Sequence, residues 1–98
     1  MSLQLVVSDA IHRRISMFSS ERYAAFQLAA ADISKGRVAG KKVHTSPLTK
    51  RHIFVLKRPP YSMYYSVDPA IPDSMVIEEF LTEGEEDLVI DLFAEGPD

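Results

Sequence analysis

The chain has no cysteine and no tryptophan, and the first absence removes both a disulfide framework and any zinc site built on thiolates. Stability must come from packing. With 98 residues, 46% of them hydrophobic, the chain is long enough to bury a core in one domain spanning residues 1–98. Nowhere do about 18 apolar residues follow one another, and no basic segment precedes the short apolar run at the amino end, so a soluble, cytoplasmic protein with no membrane contact is expected. Glycine is scarce and scattered, with four residues in all, which excludes a phosphate loop. No serine stands in a nucleophile elbow and no His, Asp or Glu set has metal-ligand spacing, so neither metal nor cofactor is expected.

Basic side chains are missing from the carboxyl third. All eleven Lys and Arg residues lie between His12 and Arg58, whereas Asp68–Asp98 holds eleven of the fourteen acids. The net charge of −3 therefore hides a basic body with an acidic end. Nucleic-acid binding draws most of its affinity from phosphate neutralisation, which the acidic end opposes unless it lies on another face.

Periodicity changes along the chain. "LQLVV" at residues 3–7 reads as a strand, and Ser8 or Asp9 can cap a helix after it. Ile11, Ile15 and Phe18 then recur at helical spacing. "FSS" at 18–20 offers a second cap, so two helices, or one bent at Ser19 and Ser20, are expected; "ERYAAFQLAAADISKG" is alanine-rich with an apolar stripe of Tyr23, Phe26, Ala30 and Ile33, of which Tyr23 and Phe26 are expected in the core. Lys35 and Gly36 form a suitable helix end. Residues 36–50 read as a basic connection, with room for one short strand near Val43.

"RHIFVLKRPPYSMYYSV", residues 51–67, is two β-prone runs joined by prolines that cannot donate ladder hydrogen bonds, hence a hairpin. "MVIEEFLTE" is open between helix and strand, and "GEEDLVIDLFAEG" reads as a turn and a last strand. The fold class is α+β: an amino-terminal strand, a helical hairpin packed on one face, then an antiparallel sheet.

This order, with "ADISKGRVAGKKV", "RHIFVLK", "YSMYYSVD" and "DLVIDLFAEG", resembles the RelE/ParE toxins of bacterial toxin–antitoxin pairs, and the resemblance covers nearly the whole chain. It implies a partner antitoxin and, in the ribosome-dependent branch, messenger RNA cleavage. For such a nuclease the candidate catalytic residues are Arg51 for phosphate, with His52 or Tyr64 moving the proton, and Lys57 as a further phosphate contact. The bland alternative for Arg51 and His52 is an ordinary edge-strand pair. His44, Lys41, Lys42 and Lys50 read equally as a solvated loop.

The chain departs from the nuclease pattern at two places. Ser62 stands where those nucleases usually carry arginine, and the end reads "AEGPD", with Glu95 and Asp98, where a basic residue or tyrosine is usual. Both changes remove charge that a pentacovalent phosphate needs.

Strand alternation suggests how a partner could be met. Putting Met63, Tyr65, Ile53, Val55, Leu88, Ile90 and Leu92 toward the helices leaves Tyr64, Val89, Asp91 and Phe93 on the open face, Tyr64 as an exposed ring. An apolar open face needs a cover, either a partner or the "MVIEEFL" segment. The expected binding set is Lys57, Arg58, Tyr64, Val89, Asp91 and Phe93, meeting an antitoxin segment or a second copy in a homodimer. Two functions fit these residues: a RelE/ParE-like, toxin-related protein acting mainly by binding an antitoxin, itself or a cellular protein target, or a ribosome-dependent endoribonuclease with RNA and the ribosome as partners.

Overall fold

The computed structural model describes residues 3–88. The elements run β1 (Gln4–Val6), α1 (Asp9–Ser16), α2 (Ser20–Ser34), β2 (Lys41–Thr45), β3 (His52–Arg58), β4 (Tyr61–Val67) and β5 (Ser74–Thr82), followed by a 3-10 helix at Glu83–Leu88. The strands make one sheet in the order β1-β5-β4-β3-β2. β1 joins β5 in parallel, and the other pairs are antiparallel. This is the expected α+β arrangement, and the ambiguous "MVIEEFLTE" resolves as an inner strand.

Local chemistry sets the helix boundaries. Ser8 Oγ accepts from the Ile11 amide and Ser19 Oγ from the Arg22 amide, so each helix opens on a serine that satisfies one of its free donors. Lys35 caps the end of α2, and Gly36 follows at a φ of 75°, where a side chain would be strained. Leu3 N and Ser34 Oγ exchange bonds of 2.7 Å with Ser34 O and Leu3 O respectively, fastening the entry of β1 to the end of α2.

Both helices lie on one face of the sheet. Ile15, Phe26, Ala29, Ala30 and Ile33 meet Met63, Tyr65, Met75, Ile77 and Phe80 there. Met63 and Met75 are fully buried, each stabilising the fold by about 2 kcal/mol relative to exposure. Phe80 sits among three rings, its centroid 5.4 Å from Phe26, 5.2 Å from Tyr61 and 6.0 Å from Phe18.

Three sequence expectations are corrected. Tyr23 is 41% exposed, because the buried stripe of α2 centres on Phe26, Ala29 and Ile33 and leaves Tyr23 at its margin, stacked on Phe26. Ile53 and Val55 do not face the helices. In the β3–β4 register they stand opposite Ser66 and Tyr64, while Phe54 and Leu56 stand opposite Tyr65 and Met63. "IFVL" is apolar at both parities, so the strand alone could not fix its face. Tyr64 does lie on the side away from the helices, but at 6% exposure it is buried, clustered with Ile53, Val55 and Leu81. The expected last strand lies largely outside the described residues, with the segment leading into it coiled as the 3-10 helix rather than a simple turn.

Candidate functional site

Arg51 is delivered to the sheet by a tight turn. Ser46 N donates to Arg51 O at 2.9 Å and Lys50 N to Ser46 O at 2.9 Å, while Lys50 takes a left-handed φ of 65°. Half-buried at the mouth of β3, the Arg51 guanidinium donates through Nε to Ser66 Oγ at 2.9 Å and through Nη2 to Ser66 O at 3.3 Å. Ser66 Oγ in turn donates to Glu78 Oε2 at 2.5 Å. Glu78 is the extra residue where the β4–β5 register slips between Tyr64 and Tyr65, and the bulge aims it back at Ser66. A cation and an anion are thus joined through one buried hydroxyl.

The residues nominated from sequence divide between the two sides of the sheet. Arg51 and Tyr64 share the side away from the helices, with Lys57 on the same alternation. His52 has the opposite parity, and its Nδ1 lies 3.1 Å from Thr45 Oγ1 on β2. Arg58 is exposed and pairs with Asp32 at 3.2 Å, an acid that also holds Arg37 at 2.9 Å. Val89, Asp91 and Phe93 lie outside the described residues. Among the described residues no three His, Asp or Glu side chains are grouped to hold a metal, and no helix is long and apolar enough to cross a membrane.

Two ionisable groups are displaced from their ordinary values. Burial pushes the Tyr65 phenol up, against a smaller opposite effect of the Gly40 amide that donates to it. The Thr82 amide, and then Arg22, hold the Glu85 carboxyl down. Neither residue belongs to the nominated set.

Sequence reasoning missed a groove on the helical side. About 880 Å³ opens between α1, α2 and β1, lined by Leu5, Val7, Ile15, Phe18, Phe26 and Ala30 and also by the polar His12, Gln27 and Lys35. Its signal was available: Tyr23 to Ala31 carries no charge at all, and α2 is scarcely amphipathic where α1 strongly is. A helix apolar on more than one face has more to cover than one sheet can provide.

The fold has a solved counterpart. A chain of the archaeal RelE–RelB complex from Pyrococcus horikoshii OT3 is similar to it with a TM-score of 0.66, over 87% of this chain and 99% of that one. Sequence identity is 12%, so the likeness is one of fold. No family model and no curated protein sequence matches the chain. The class defined by the fold is therefore RelE-like α+β.

Proposed function

We propose that this is a RelE/ParE-like, toxin-related protein that acts mainly by protein binding, its partner being a cognate antitoxin. The observation that carries the reading is the open apolar groove on a RelE-like fold whose solved counterpart comes from a complex with RelB. A groove lined by aromatic and aliphatic side chains, with the cationic Lys35 and the imidazole of His12 also lining it, suits the apolar stripe of an amphipathic helix flanked by acids. The opposite sheet face offers less apolar access, since Tyr64 is buried there.

The test is a titration. A short neighbouring reading frame with a DNA-binding amino half and an amphipathic carboxyl tail would supply the ligand, and that tail should bind the purified protein with a dissociation constant weakened about tenfold by Gln27→Glu, which puts an acid into the groove. Absence of binding to the wild type, or binding indifferent to Gln27→Glu, would defeat the reading.

The endoribonuclease alternative is supported by one observation: Arg51, Lys57 and Tyr64 share a side of the sheet. It is opposed by the placement of His52 and by the bonds that hold Arg51 to Ser66.

A further inference from the structure

The outer face of α2 carries a pattern that the core does not explain and the groove explains only in part. Glu21, Ala24, Leu28, Ala31 and Lys35 follow one another at spacings of three and four and so form one stripe. Leu28, at its centre, is 68% exposed. Glu21 lies seven positions before Leu28 and Lys35 seven after it, both exposed. Neither side chain enters an ion pair among the described residues.

We propose that this stripe binds a second copy of the chain, α2 packing antiparallel on α2 about a two-fold axis at Leu28. The two-fold brings Leu28 against its own copy. At 1.5 Å of rise per residue, Glu21 and the partner's Lys35 then fall at one height, about 10 Å from the axis, and the same pair recurs on the other side. Ala24 and the partner's Ala31 form the layers between, small enough for the backbones to approach closely. A parallel pairing would set Glu21 against Glu21 and Lys35 against Lys35, which charge repulsion disfavours. The stripe is thus complementary to itself in one orientation.

This inference stands apart from the antitoxin reading but touches it at two residues. Ala31 and Lys35 belong to the stripe and also line the groove. An occupant of the groove and a second copy therefore compete, and partner binding releases monomers. A single helix pair is a small interface, so the association is weak and reversible.

Sedimentation equilibrium on the full chain, from low to high micromolar, tests the proposal. The wild type should show a mass rising from monomer toward dimer with concentration. Leu28→Arg, which replaces an exposed side chain, should raise the dissociation constant about tenfold or more, with an unchanged circular dichroism melt. Glu21→Lys and Lys35→Glu should each weaken association, and the double variant E21K/K35E should restore it. Mixing the two single variants should give heterodimers in preference to either homodimer. A wild type that stays monomeric, association that survives Leu28→Arg, or a folded double variant that fails to recover would each overturn the proposal.

Discussion

The Gly40 amide donates to the Tyr65 hydroxyl at 2.8 Å, and a Cβ added to Gly40 would stand 2.7 Å from that oxygen and 3.0 Å from the Val55 carbonyl. Glycine is therefore required here by space rather than by backbone angle. Tyr65 is 3% exposed and its ring stacks on Phe54 with centroids 5.2 Å apart, so it cannot swing away. Gly40→Ala should cost about 1–3 kcal/mol in urea unfolding. Gly84, with nothing within 4 Å of its would-be Cβ, is the control: Gly84→Ala should leave stability unchanged or raise it slightly. Equal effects at both positions would mean that the close approach to Tyr65 is not what the glycine serves.

Arg22 fastens the helical hairpin to the end of β5. Its Nη2 donates to Phe80 O at 2.6 Å and to Glu85 Oε1 at 2.7 Å, and the guanidinium lies 4.0 Å from the centre of the Phe18 ring. Arg22→Met should cost about 2–3 kcal/mol, since it removes charge-assisted bonds and leaves a buried carbonyl short of a donor. The partner acid gives a pH dependence. Because the Thr82 amide and Arg22 hold the Glu85 carboxyl below its ordinary 4.5, the unfolded chain takes up that proton first as pH falls. The stability it contributes is complete above that value and is lost on descending through the lower folded value. Glu85→Gln should flatten this acid limb in unfolding curves measured across a pH series; an unchanged slope would assign the limb to other carboxylates.

The chain from Arg51 through Ser66 to Glu78 predicts unequal effects of its three members. Ser66 is 1% exposed and its hydroxyl serves both ions, so Ser66→Ala takes this partner from Arg51 Nε and from Glu78 Oε2 and should destabilise by about 2–3 kcal/mol, although Arg51 keeps its bond to Ser66 O. Pairing Arg51→Met with Glu78→Gln removes both charges together and should cost less than the sum of the single changes. A double-mutant cycle with no coupling would show that the three residues act separately.

How much of this was legible in the sequence depended on whether a pattern had one solution. Ser8 or Asp9, and then the serines of "FSS", placed the helix starts to within a residue, the caps being Ser8 and Ser19, and the β-prone runs around Pro59 and Pro60 indicated the hairpin. Tyr64 was assigned correctly to the side away from the helices because Met63 and Tyr65 alternate with serines in "YSMYYS", yet its burial depends on tertiary neighbours such as Leu81. Ile53 and Val55 were misplaced because the run around them is apolar at both parities. The Arg51–Ser66–Glu78 chain was invisible for a different reason: it needs the bulge at Glu78, which residue spacing does not announce. The uncharged stretch of α2 is plain in the sequence, but its meaning depends on which face of the helix the core uses.

The last prediction concerns chemistry, where placement matters more than inventory. Cleaving an RNA strand requires a cation at the scissile phosphate and a proton carrier within hydrogen-bond reach of the attacking or leaving oxygen. Arg51 has the right charge, but two of its donor groups are spent on Ser66. His52, the natural proton carrier, has the opposite strand parity and sits beside Thr45. Tyr64 shares the side of Arg51 but is buried at 6% exposure. Ser62 and the acidic carboxyl end add no cation. The purified protein should therefore produce no more than weak cuts in ribosome-bound message, and primer extension on stalled ribosomes would measure them. Robust cleavage that disappears in a folded His52→Ala or Arg51→Ala variant would show that these side chains rearrange on the ribosome, and would establish the endoribonuclease reading in place of the one proposed.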